Sequence, residues 1–169
     1  MTPEEYSALF EGFSRSAFRV EARDEYNVPD EQEDLAAFSK GQKVPPRTPD
    51  NDSWLALVAR ATAAGRSMTR VRVIGRPVTS YTRFEFAAYQ ENVAAGERIR
   101  VIERAWLHGA DTSWADTDFW LFDDETAALL RYGNQGHFLG ADRASDLDTY
   151  LSAKQRALAL SVDLADFTL

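Results

Sequence analysis

Apolar and polar residues along this chain repeat at two spacings, and each switch between them marks an element. Val71 and Val73 alternate with Arg70 and Arg72 in MTRVRVIG, and Ile99 and Val101 alternate with Arg98 and Arg100 in RIRVIER. Period-two patterning of this kind predicts two half-buried strands. Between them, a stretch opened by Pro77 and Ser80 and closed by Gly96 has helical spacing. A strand, a long helix and a second strand predict a βαβ unit with parallel strands and a right-handed crossover.

The flanks follow the same logic. Thr2 and Pro3 open a helix with an apolar stripe of Tyr6, Leu9, Phe10 and Phe13. In SAFRVEARDEY, Phe18, Val20 and Ala22 alternate with Arg19, Glu21 and Arg23 as in a strand. Asp30 and Glu33 form a capping-box pattern for a short acidic helix with Leu35 and Phe38, stopped by Gly41. Ser53 is placed to cap a helix carrying Trp54, Leu57, Val58 and Ala61, closed by Gly65. After a loop with Trp106, His108 and Trp114, the segments DFWLFDD, AALLRY and HFLGA predict an antiparallel meander. Ser145 and Asp146 precede a last helix that turns Leu147, Tyr150, Leu151, Ala157, Leu158 and Val162 inward. Residues 41–52 hold Pro45, Pro46 and Pro49 among polar residues. A boundary there leaves a first piece too small for a core, so they read as a surface loop. The fold class is therefore α/β: one domain over 1–169, with a central mixed sheet flanked by helices.

Composition narrows the chemistry. With no cysteine among 169 residues, disulfides, thiolate catalysis and cysteine-ligated zinc are excluded. The first residues lack the basic and apolar regions of a secretory signal, and no apolar window spans a bilayer, so the expectation is a cytoplasmic protein without a membrane. A net charge of −8 argues against direct nucleic-acid binding. The charge is unevenly distributed: residues 54–109 hold 9 bases, all arginine, against 4 acids, while both flanks are acidic. That centre either pairs with the acidic flanks or offers guanidinium forks to an anion.

Two constellations stand out. Tyr81, Glu85, Tyr89 and Asn92 lie four, four and three residues apart and share one helix face. They either hold a ligand or partner, or bury their rings while Glu85 pairs with a strand arginine. Asp118 and Asp123 bracket FWLF. About five extended residues, roughly 16 Å, separate them, too far for a paired acid–base site. Asp123, Asp124 and Glu125 read as a hairpin corner or a site for a hard cation. Neither His108 nor His137 has a second ligand at metal spacing, and GNQG lacks the ending of a phosphate loop. No cofactor is expected.

The combination of SAFRVEARDEY, RFE…Y..N..AGE.IR and DFWLFD resembles an actinomycete family of unknown function, over nearly the whole chain. Its shared pattern falls here on Arg83, Phe84, Glu85, Tyr89, Asn92, Gly96, Glu97, Arg100, Asp118, Trp120 and Asp123. Members commonly sit beside helix-turn-helix regulators and small partner proteins, which implies a regulatory or toxin–antitoxin-like role. A fainter resemblance is to phospholipase-D-like effector domains. That superfamily needs His-x-Lys, whereas His108 is followed by Gly109-Ala110 and His137 by Phe138-Leu139, so the resemblance implies a dead phosphodiesterase. Three readings stand: a non-enzymatic domain binding a protein partner such as a DNA-binding regulator or small neighbouring gene product; a sensor of anions or nucleotides on an arginine-lined sheet face; or a toxin-like nuclease or nucleotide-acting enzyme. The candidate residues are Arg72, Tyr81, Arg83, Glu85, Tyr89, Asn92, Arg100, Asp118 and Asp123.

Overall fold

The computed structural model describes residues 1–108 and 112–169. Part of the Trp106–Trp114 loop, 109–111, lies outside the described residues. Seven strands form one sheet: β1 (Ser16–Glu21), β2 (Ser67–Ile74), β3 (Arg98–Glu103), β4 (Phe119–Phe122), β5 (Thr126–Tyr132), β6 (Phe138–Arg143) and β7 (Val162–Asp163). Their order is β6-β5-β4-β1-β2-β3-β7. β1, β2 and β3 are parallel, and the β4-β5-β6 meander and β7 join antiparallel. The helices are α1 (Pro3–Gly12), α2 (Gln32–Ser39), α3 (Ser53–Ala63), α4 (Ser80–Ala95) and α5 (Leu147–Leu160). Among the described residues no helix is long and apolar enough to cross a membrane.

Alternation along the central strands gives each sheet face its own partners. Phe18, Val20, Val71, Val73 and Ile102 pack with Phe119 and Leu121 against Ala153 and Ala157 of α5. On the opposite face Val58 and Ala61 of α3, with Tyr6, Leu9 and Phe10 of α1, cover Ala17, Met68, Trp120 and Phe122. Phe86 and Tyr89 of α4 cover Ile74, Ile99 and Val101. The mixed α/β architecture, the βαβ pairing and the meander agree with the sequence pattern.

Local details differ. Asp52, not Ser53, caps α3 by accepting from Leu55 N at 2.8 Å. Thr79 caps α4. Asp30 makes no capping box, because Pro29–Glu31 forms a 3-10 turn that leads into α2 without a side-chain cap. The first strand stops at Glu21, and Val162 leaves the last helix for β7.

The largest correction concerns the arginines. β2 and β3 are neighbours, but their register sets Arg70 opposite Ile99, Val71 opposite Arg100 and Arg72 opposite Val101. Directly paired residues share a face, so an odd offset puts the two arginine sets on opposite faces. Arg98 and Arg100 instead meet Asp163, and Arg100 also donates to Ser161 Oγ at 2.6 Å. Arg70 and Arg72 therefore share no face with Arg98 and Arg100.

Candidate functional site

The α1–α4 face of the sheet is incompletely covered. Between α1, α2, α3, α4 and the β5–β6 end of the sheet lies a broad cleft of about 1420 Å³. Its floor is ionic because strand alternation in β1 and β2 turns Arg19, Glu21 and Arg70 away from the aliphatic core, with Arg72 buried beneath them. Register makes two rows across the strands, Trp120–Arg19–Arg70–Ile99 and, one step along, Glu21–Arg72–Val101.

Each floor charge is answered. Arg70 donates to Glu97 at 2.7 Å and Glu21 at 2.8 Å. Its guanidinium lies over the Trp54 and Tyr89 rings at 5.7 and 5.6 Å. Arg19 lies 2.9 Å from Glu21 and 3.5 Å from Asp118, with its guanidinium over Trp120. Arg72 is wholly buried and donates twice to Glu85 Oε2, at 3.0 and 2.7 Å. Burial pushes Glu85 up to about 7; Arg72 opposes that rise and the Glu21 charge adds to it. Burial acts on Glu21 in the same direction, but Arg70, Arg19 and Arg72 outweigh it and hold Glu21 at about 2. Asp118 accepts from Ala22 N and from the Tyr26 hydroxyl at 2.6 Å, and burial raises its pKa.

The α4 face read from the sequence forms one wall. Tyr81, Glu85, Tyr89 and Asn92 are all buried and line the cleft, with Tyr81 donating to Glu31, Tyr89 to Glu21 and Asn92 to Glu97. The reading in which Glu85 pairs with a strand arginine therefore describes the geometry. Arg72 and Asp118 do not line the cleft; they lie buried beneath its floor, bonded to Glu85 and to Tyr26. Arg100 does not join, as it lies on the far face. Arg83 is exposed, since two residues from Glu85 is about half a turn, which puts it on the opposite side of the helix.

Asp123 is also elsewhere. It turns the β4–β5 corner at φ 56° and ties it to the segment before β1, accepting from the backbone of Ser14 and Arg15 at 2.7 Å and of Ser16 at 2.8 Å. Asp124 meets Lys154 and Glu125 meets Arg15, so the three acids diverge. The bonds from Ser14, Ser16 and Arg15 outweigh partial burial and hold Asp123 at about 2. Asp123→Ala is expected to cost about 1–3 kcal/mol by urea unfolding at neutral pH. The wild-type contribution is complete above about 3.8 and disappears as pH falls through about 2. A loss of under 0.3 kcal/mol would remove the anchor role.

Other cleft residues are not among the candidate site residues read from the sequence, although Trp120 belongs to the shared family pattern. Arg19 and Glu21 stood on the polar face of the predicted first strand; a polar face on a strand destined for mid-sheet was the available signal. Glu31, Arg47, Trp54, Trp120 and Tyr132 come from five separate segments, and no spacing rule joins them. The carboxylates differ in one respect. Glu21, Glu85, Glu91, Glu97, Asp52 and Asp118 each lie within 4 Å of an arginine. Glu31, half-buried on the cleft wall, has no arginine or lysine within 4 Å among the described residues; it accepts from the Tyr81 hydroxyl at 2.8 Å, and burial raises its pKa against the pull of that bond and of the more distant Arg47 and Arg70.

Residues 4–169 match the family described as a domain of unknown function, DUF6879. No curated protein matches the sequence. Among solved structures, a phospholipase D family member, Nuc from Salmonella typhimurium, is similar with a TM-score of 0.54 and 11% identity. The match covers 96% of this chain and 93% of that one. At that identity the likeness is one of fold.

Proposed function

We propose, for a chain that belongs to this DUF6879 family of unknown function, a binding domain that takes a basic segment of a protein partner into the cleft. Glu31 carries the reading. A half-buried carboxylate with no cation in contact among the described residues leaves part of its desolvation uncompensated, and an incoming guanidinium or ammonium would compensate it. Asp30 and Asp34 flank it on the cleft lining and, among the described residues, face no ion-pair partner of their own. The floor arginines, by contrast, face internal carboxylates, which disfavours an anionic ligand. The volume exceeds that of a usual small-molecule pocket and suits an extended segment. A DNA-binding regulator, the partner implied by the family resemblance, would present such a basic surface.

The test is purification of the tagged chain from its native host, then titration of the recovered partner against wild type, Glu31→Gln and Asp34→Lys. Removing one member of a desolvated charge pair costs about 2–5 kcal/mol, so Glu31→Gln is expected to weaken binding at least thirtyfold. Acid should weaken wild-type binding as Glu31 takes up its proton, beginning above the ordinary glutamate range. Unchanged affinity in both variants would sink the proposal.

A further inference from the structure

The proline-rich loop at 41–52 stands between α2 and α3, and one side chain joins it to α4. Arg47 N donates to Glu91 Oε1 at 3.1 Å, and its Nε to Glu91 Oε2 at 2.9 Å. Nη2 donates to Asn92 Oδ1 at 2.9 Å and to the Ala88 carbonyl at 3.3 Å, and Nη1 to Asp52 at 3.4 Å. The fork is thus met on every side by acceptors of one helix turn plus the α3 cap. From 41 to 51 every residue is exposed except the half-buried Val44 and Arg47. The remaining bonds of the loop are local, such as Thr48 N to Asn51 and Asn51 Nδ2 to the Pro46 carbonyl. Little apolar burial holds this segment down, and segments of that kind open at low free-energy cost. Arg47, Asn51 and Asp52 also line the cleft, so the loop forms part of its wall.

We propose that Glu91, Asn92, the Ala88 carbonyl and Asp52 form a guanidinium-binding site that the chain fills with its own Arg47, and that an arginine of the basic partner segment takes this site when the loop lifts from α4. The inference rests on the cleft reading above and adds the chemistry of one subsite. A planar donor fork matched by a carboxylate, an amide oxygen and a carbonyl selects arginine over lysine, whose ammonium is a compact point charge. The loop is then a competitor in cis. A partner has to displace it, and its removal raises the affinity of the cleft for arginine-bearing segments.

Two measurements test this, both on the full chain. In Arg47→Ala the site stands empty, and ethylguanidinium is expected to raise the melting temperature saturably, whereas ethylammonium at equal ionic strength does not. Wild type should not respond, and Arg47→Ala/Glu91→Gln should lose the response. Arg47→Lys, which keeps the charge but not the fork, gives the same comparison in a less perturbed background. Second, a synthetic peptide of residues 43–49, Lys-Val-Pro-Pro-Arg-Thr-Pro, should bind Arg47→Ala at least tenfold more tightly than wild type, and replacing its arginine by lysine should abolish the gain. Equal shifts with both cations, or equal peptide affinity for wild type and Arg47→Ala, would overturn the proposal. Partner binding that depends on Glu31 but is indifferent to Arg47→Ala would leave the cleft reading intact and reject the cis competitor. A guanidinium response without any Glu31 dependence would do the reverse.

Discussion

Replacing Arg72 by alanine is expected to lower stability by about 3–5 kcal/mol, because it strands a buried charge. The Arg72 side chain is wholly inaccessible and holds Glu85 through Nε and Nη2. Its Nη1 serves the carbonyls of Arg23 and Val73, and its guanidinium lies 5.4 Å over the Tyr26 ring. Alanine leaves a cavity and strips Glu85 of the one arginine within bonding distance of it among the described residues. Arg72→Lys keeps a charge but cannot fork, and should fall between alanine and wild type. Arg72→Met/Glu85→Leu, which removes both charges and fills the space, should come within about 2 kcal/mol of wild type. Urea unfolding of the four chains at constant m-value measures these differences. A double variant as unstable as Arg72→Ala would show that the pair is not what makes Arg72 important. If the double variant also binds partner normally, Arg72 and Glu85 hold α4 to β2 and do not themselves touch the ligand.

That pair illustrates what the sequence made legible. Strand and helix periods placed Val71, Val73, Ile99 and Val101 inward and located the βαβ unit. The four-four-three spacing correctly grouped Tyr81, Glu85, Tyr89 and Asn92 on one face, all of them on the cleft wall. Spacing within an element is a local property, fixed by 3.6 or 2 residues per repeat. Register between elements is not local. Two identical Arg-x-Arg strands became neighbours as expected, but pairing Arg70 with Ile99 reverses the face of the second set. The turn at Gly96 helps set that register: its φ of 111° follows α4, and any Cβ there would collide with the Thr62 side chain of α3. Arg47 illustrates a further limit. Its loop had the composition of a linker, and nothing within residues 41–52 indicated that Glu91 and Asn92 would receive its guanidinium.

The second large effect is expected at Glu21, where one carboxylate serves two arginines. Its Oε1 lies 2.9 Å from Arg19 and 2.8 Å from Arg70, while Oε2 accepts from the Tyr89 hydroxyl. Glu21→Gln leaves Arg19 and Arg70 close together in a buried row without their shared anion, and should cost about 3–5 kcal/mol at neutral pH. The pH profile separates this from a simple packing loss. The folded-state pKa of Glu21 is about 2 against an ordinary 4.5. Its contribution is therefore complete above 4.5 and is lost as pH falls through about 2. Glu85 has the opposite sign. Held at about 7, it favours the folded state fully below 4.5, and that contribution fades as pH rises through 7. The two carboxylates are linked, since the Glu21 charge is one cause of the rise at Glu85. Glu21→Gln should accordingly flatten the acid limb and also lower the Glu85 pKa, shrinking the slope between 4.5 and 7. Glu85→Gln should remove only that upper slope. Urea unfolding from pH 2 to 8 on wild type and both variants distinguishes these profiles. If Glu21→Gln merely displaces the wild-type curve downward in parallel, the floor is not an electrostatic unit, and the arginines over Trp120 and Tyr89 are held by packing alone.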